Sequence, residues 1–149
     1  MIVRLATEAD LESWLQMRNP LWPGSSATHR KDLENYFANQ SKDIEACFLV
    51  EVKGVPVGFI EVNVRNYAAG SDRPEVPYVE GWFIAETHRG QGLGKLLMQR
   101  AENWAMERGY SELASDAELE NLISINVHKK LGFEETDRIV CFLKKLNSP

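Results

Sequence analysis

Residues 79–95, VEGWFIAETHRGQGLGK, constrain this chain more than any other stretch. An apolar, strand-forming run through Val79, Trp82, Phe83 and Ile84 gives way to a short polar turn. Three glycines within five residues, Gly90, Gly92 and Gly94, then lead into a helix-forming run. Such glycines let the backbone turn tightly and bring its N–H groups close to a ligand, and a helix start offers unpaired amides and a positive dipole end. The stretch can therefore hold an anion, with Arg89 and Lys95 adding positive charge at its two ends. The same strand, turn and helix also serve many α/β proteins as a plain connection. Two phosphate motifs are excluded by spacing, because no Gly-Lys-Ser/Thr ending is present and Gly90-x-Gly92-x-Gly94 is not G-x-G-x-x-G. What remains is Arg89-x-x-Gly92-x-Gly94.

The flanking sequence tells what this stretch is built into. Ile2, Val3 and Leu5 predict a short strand, and Thr7-Glu8-Ala9-Asp10 resembles a capping box that opens a helix carrying Leu11, Trp14, Leu15 and Arg18. Asn19-Pro20 is expected to end that helix, with a loop over 21–26 that presents Trp22 between two prolines. A second helix is expected over 29–39, with Leu33, Tyr36 and Phe37 on one face. The period then changes. Residues 46–52, a Lys53-Gly54 turn and residues 55–65 read as a β-hairpin, with Phe59, Glu61, Asn63 and Arg65 alternating against Ile60, Val62 and Val64.

A long polar loop over 67–77 follows, of a length more often functional than idle. After the glycine loop, Leu93, Leu96, Leu97, Arg100, Ala101, Trp104 and Ala105 mark one face of a helix to about residue 108, capped by Gly109. A strand over 111–116, a helix with Ile123, Val127 and Leu131 inside, and a last strand over 139–146 complete the reading. The order β-α-α-β-β-β-α-β-α-β predicts one α/β layer structure around a mixed sheet.

The totals narrow the function classes. At 149 residues and 44% hydrophobic content the chain is large enough for one domain with a real core. Its 17 basic against 22 acidic side chains give a formal charge of −5, opposite to the footprint of a nucleic-acid binder and better suited to a cationic small molecule. Cys47 and Cys141 each lie in an apolar run and read as small hydrophobes rather than nucleophiles. No apolar stretch has the length of a membrane span and no signal-peptide pattern precedes the first strand, so a cytoplasmic protein without membrane partners is expected.

Three features together, Arg89-Gly90-Gln91-Gly92-Leu93-Gly94 after an apolar strand, Asn121 on a later helix, and Lys130-Leu131-Gly132-Phe133 at its end, resemble the GNAT family of acetyl-CoA-dependent N-acetyltransferases. The resemblance covers most of the chain. It implies a mixed central sheet flanked by helices, with a splayed cofactor cleft. It also implies that the amides of residues 89–94 hold the pyrophosphate of coenzyme A, that the backbone of Trp82, Phe83 and Ile84 faces the pantetheine arm and thioester, and that Asn121 contributes from the later helix. No metal is expected.

The chain is similar in particular to the aminoglycoside 6′-N-acetyltransferase branch, on Arg18-Asn19-Pro20-Leu21-Trp22, Tyr67, Val79-Glu80-Gly81, Ala114-Ser115-Asp116 and Gly132-Phe133-Glu134-Glu135-Thr136. That resemblance implies an aminoglycoside as substrate and a homodimer. Trp22 and Tyr67 would stack on or enclose the sugar rings, while Glu80, Asp116 and Asp137 would pair with ammonium groups; carboxylates and aromatic faces suit such polycations. The attacking amine must lose a proton, and Glu80 followed by Asp116 are the candidate bases. His128 stands where the family usually has a tyrosine acid, so it either protonates the departing thiolate or only fills space. Each acidic residue also has a plain structural reading, as a cap or as surface charge. Acetylation of another amine, and a non-catalytic acyl-CoA sensor, are the alternatives.

Overall fold

The structure, a computed structural model, describes residues 1–24 and 26–147. Ser25, in the loop expected over 21–26, lies outside them. Its elements are β1 (Ile2–Leu5), α1 (Leu11–Leu21), α2 (Ser26–Phe37), β2 (Ala46–Val52), β3 (Val55–Arg65), β4 (Val76–Ile84), α3 (Leu93–Glu107) and α4 (Leu122–Lys130). Residues Met1–Asp116 form one compact unit and Ala117–Pro149 a second.

In the first unit the four strands form an antiparallel sheet in the order β1-β2-β3-β4. The β2–β3 hairpin turns on Lys53 and Gly54, both at positive φ (52° and 78°), the conformation of a two-residue turn matched to strand twist. The parallel component expected of a mixed sheet is a lone bridge between Tyr78 and Ala114, so the strand expected over 111–116 is reduced to that contact.

Helices cover both faces. On one side α1 and α2 bury Trp14, Leu15 and Leu33 against Cys47, Leu49 and Phe59 of the sheet. On the other, α3 presents Leu93, Leu97, Met98, Ala101 and Trp104 as its buried stripe. The first helix is anchored by Asp10, which accepts from the Thr7 amide (2.8 Å) and takes a two-pronged ion pair from Arg4 (2.7 and 2.8 Å). Those bonds hold the Asp10 carboxyl down at about 2. Pro20 does not end α1: the helix runs one residue further, to Leu21, and the Trp22 amide still closes onto the Arg18 carbonyl at 2.8 Å. Proline forgoes the bond its own N–H would make to the Gln16 carbonyl, but the φ its ring fixes is close to helical, so the chain can carry the helix on to Leu21.

One irregularity shapes everything that follows. Along β3 and β4, Asn63 pairs with Tyr78 and Val62 with Val79, but Glu61 pairs with Gly81. Glu80 is the extra residue of a β-bulge. Strict alternation would send Gly81 to the face opposite Tyr78 and Glu80; the bulge returns it to the same face as Phe59, Glu61 and Asn63.

The second unit differs more from expectation. Among the described residues its one regular element is α4, whose Asn121 side chain accepts from the Ser124 amide (3.1 Å) as N-cap. Ile123, expected inside this helix, is exposed, and α4 has no buried residue. The run 139–146 is not a strand here, and Cys141, read as a small hydrophobe, is exposed. Cys47 fits that reading, with burial pushing its thiol well above the usual range.

Candidate active site

The glycine loop is built as an anion cradle. After β4 a short turn over Glu86–His88 leads to Gly90 (φ 77°) and Gly92 (φ 81°), left-handed positions where a side chain would be strained. Gly92 is the N-cap of α3 and supplies no side chain to the helix's first amides, which therefore remain available to a ligand's oxygens. Gly94 is not held to glycine by lack of space, since an added Cβ would meet the Trp82 indole at 3.4 Å, an ordinary contact; what ties the two is the Trp82 Nε1–H, which donates to the Gly94 carbonyl at 3.1 Å. The Trp82 side chain thus props the start of α3. Arg89 folds back instead of reaching outward: its Nε donates to the Ile84 carbonyl (2.8 Å) and its guanidinium lies 5.7 Å from the centre of the Phe83 ring.

β4 is paired with β3 through Ile84. On its other edge, the Val79 amide donates to the Ala114 carbonyl (2.8 Å), and beyond that bridge no strand of the described residues pairs with it. An open strand edge leading into an uncapped helix start fits an extended chain ending in a pyrophosphate, which is the shape of acyl-coenzyme A.

A second feature lies on the α1–α2 face. A cavity of about 870 Å³ is lined by Trp22, His29, Asp32, Glu61, Asn63 and Glu80, among others. Glu80 is held at its rim: Arg65 donates to both carboxylate oxygens at 2.7 Å, and Asn63 Nδ2 approaches one of them at 3.4 Å. Arg65 also lies 3.6 Å over the ring of Tyr78, whose hydroxyl donates to Asp116 at 2.7 Å. Burial, and then that bond to Asp116, raise the Tyr78 phenol, so it stays a proton donor to the carboxylate. Two of the three acids expected from sequence are therefore joined, Glu80–Arg65–Tyr78–Asp116, through residues that carry no sequence motif. The available signal was the polar alternation Glu61, Asn63, Arg65 inside an otherwise apolar hairpin.

Trp22 lines the same cavity as Glu80 and is half-buried. Tyr67 sits on the connecting loop and is 68% exposed. Three candidate residues belong to the second unit. Asn121 caps α4, Asp137 is exposed, and the His128 Nδ1–H donates to the Ser124 carbonyl at 2.7 Å while its ring meets Phe133 edge-on. With Nδ1 protonated, a neutral ring carries no proton on Nε2, so an acid role needs the imidazolium.

Comparison with known proteins agrees with this geometry. The model of the acetyltransferase (GNAT) family matches residues 11–133. An aminoglycoside N(6′)-acetyltransferase type 1 from Acinetobacter haemolyticus is 34% identical over 148 residues, 99% of this chain and 100% of its own. A protein of the same name from Klebsiella aerogenes is 35% identical, with 97% of each chain covered. The solved structure of AAC(6′)-Iy in complex with a bisubstrate analogue, CoA-S-monomethyl-acetylneamine, superposes with a TM-score of 0.88 at 35% identity, covering 97% of this chain and 98% of that one. With the uncapped glycine loop, the open edge of β4 and a family match that runs through both, this chain belongs to the GNAT acetyltransferase family.

Proposed function

We propose that this protein transfers the acetyl group of acetyl-CoA to the 6′-amine of an aminoglycoside, by direct attack with both substrates bound, and so confers resistance. The observation that carries the reading is the rim of the α1–α2 cavity. There an aromatic wall, Trp22, and a held carboxylate, Glu80, meet the strand whose far edge fits the cofactor. Near full-length similarity to aminoglycoside acetyltransferases supports it. Bound acetyl-CoA supplies an activated acetyl group on a thioester.

The protein's own residues do the rest. The backbone of 82–84 and the amides at 89–94 align the cofactor, so rate comes mainly from juxtaposition and from fixed N–H dipoles. Glu80, held in place by Arg65, accepts the ammonium proton through a water; Asp116, bonded by Tyr78, holds a second ammonium group. Trp22 and Tyr67 enclose the sugar rings. In the second unit Asn121 serves the cofactor, His128 the departing thiol, and Asp137 an ammonium group. The chain serves as a single acetyltransferase domain, in the cytoplasm. Among the described residues no helix is long and apolar enough to cross a membrane.

Incubation with acetyl-CoA and kanamycin or tobramycin should release free thiol in proportion to acetylated drug. Release with spermidine or a peptide amine, and with no aminoglycoside, would move the substrate to another amine. Tight acetyl-CoA binding without transfer to any amine would make the protein a sensor.

The active form is a homodimer. Ile139, Val140, Phe142, Leu143 and Leu146 are all exposed, an apolar β-forming run of the kind that pairs with another chain. Light scattering after size exclusion should give twice the chain mass, and Phe142→Glu with Leu143→Glu should give the monomer. A monomeric wild type would refute the dimer.

A further inference from the structure

Gly81 is a glycine without a backbone reason. It lies within β4, is not among the positive-φ residues, and is buried. Alanine would suit a strand there better. What excludes a side chain is Trp22. A Cβ built on Gly81 falls 2.5 Å from Trp22 Cη2 and 2.9 Å from Cζ2, with Phe59 Cε2 at 3.4 Å. The bulge at Glu80 causes this encounter, because it turns Gly81 to the cavity face.

A clash with the end of a side chain is cheap only if that end can move freely, and this indole is flanked by three other side chains. The Arg18 guanidinium lies 4.8 Å from its ring centre. The His29 ring stacks at 6.3 Å and 28°, and Phe59 packs at 6.5 Å. The Trp22 carbonyl accepts from His29 Nε2–H at 2.8 Å, which fixes the main chain that carries the ring. Arg18 is itself held by Glu61 (2.9 Å) and Asp32 (3.2 Å). The indole therefore rests on the bare Cα next to Glu80, flanked by these side chains, with the cavity beside it.

From this we infer that Gly81 is a positioning residue for the acceptor: by leaving room for the Trp22 indole it sets the distance between the aromatic wall and the Glu80 carboxylate, and thereby which amines fit. The inference rests on the reading that the acceptor binds at the Trp22–Glu80 rim. It predicts a particular non-additivity. Trp22→Phe removes Cζ2 and Cη2, the atoms that a Cβ at position 81 would meet.

The test uses the full-length protein with wild type, Gly81→Ala, Trp22→Phe and the double variant. Gly81→Ala should lose roughly 10- to 100-fold in kcat/KM for the aminoglycoside, the scale of a misplacement of about 1 Å. The loss should fall mainly on acceptor KM, with acetyl-CoA KM within about twofold of wild type. The double variant should match Trp22→Phe alone. An unchanged acceptor KM in Gly81→Ala, or losses that simply multiply in the double variant, would overturn the inference. If Gly81→Ala fails to fold, Trp22→Phe must restore folding, and an unfolded double variant overturns it equally.

A readout independent of activity separates this from the substrate assignment. The chain has four tryptophans, and Trp22→Phe identifies one indole N–H signal in a 15N spectrum. That signal should shift in Gly81→Ala, and a static signal refutes the positioning role. Wild type that turns over no aminoglycoside while the signal shifts would refute only the acceptor, leaving the seat of Trp22 intact.

Discussion

Replacement of Arg18 by alanine is expected to cost about 3–5 kcal/mol of folding stability at pH 8, the scale for removing one partner of a buried ion pair. Glu61 is 1% exposed and accepts from Trp14 Nε1 (2.9 Å) and Arg18 Nη2 (3.2 Å). Burial raises its carboxyl from 4.5 to about 7, against the opposing pull of Arg18 and of the Trp14 bond. An acid whose folded pKa lies above its unfolded value takes up a proton more readily when folded. Its contribution is most favourable below about 4.5 and is lost as pH rises through about 7.

Without Arg18 the carboxylate has lost its buried cation but can still be neutralised by protonation. The cost of Arg18→Ala should therefore shrink from pH 8 towards pH 6, where Glu61 is already mostly protonated. Urea unfolding at several pH values reads this directly. A cost that is equal at both pH values would mean that Glu61 does not titrate there. Glu61→Gln should flatten the wild-type stability profile between pH 5 and 7, leaving the acid-side loss that comes from Asp10, whose stabilisation disappears as pH falls from 3.8 towards about 2.

The same cluster shows what sequence could and could not tell. Local rules were enough for the β2–β3 hairpin, because Lys53-Gly54 is a turn by itself and strand-forming residues flank it, although the pairing skips Val57 between Val50–Gly58 and Glu51–Pro56. They were enough for the glycine loop and α3, where left-handed glycines and an apolar stripe follow from short-range spacing. They failed where a long-range partner decides. The bulge at Glu80 depends on the register of β3 against β4, and a sequence does not display register. Arg65 and Tyr78 carry no motif; they matter because that register sets them between two acids 36 positions apart.

The run 139–146 has strand composition, yet composition does not supply a neighbour, and the structure of this chain alone leaves it exposed. Trp22 is the reverse case. Two prolines around it made a loop evident, but the indole's seat is a glycine 59 positions later, visible only once the sheet is assembled.

Glu80→Gln is expected to lower kcat by about 10²–10⁴-fold, the range for loss of a positioned general base. Shape changes little, but chemistry does. Arg65 now donates to both oxygens of Glu80 at 2.7 Å, and an amide offers it one oxygen and one opposing NH₂ group. The variant thus loses both the proton acceptor and the charge that fixes Arg65 over Tyr78. Asp116→Asn should act differently. It weakens the bond from Tyr78 and removes a charge from the acceptor side without touching the Glu80–Arg65 pair, so acceptor KM rises while acetyl-CoA KM and most of kcat remain.

The pH profile of kcat/KM for the acceptor distinguishes the roles. Its acid limb should vanish in Glu80→Gln and persist in Asp116→Asn. If the limb persists in Glu80→Gln and vanishes in Asp116→Asn, the base is Asp116 and Glu80 serves only to hold Arg65. If both variants keep the limb and most of kcat, neither carboxylate takes the proton, and attack by the minor fraction of free amine, aligned by the Trp22 wall and the edge of β4, must suffice.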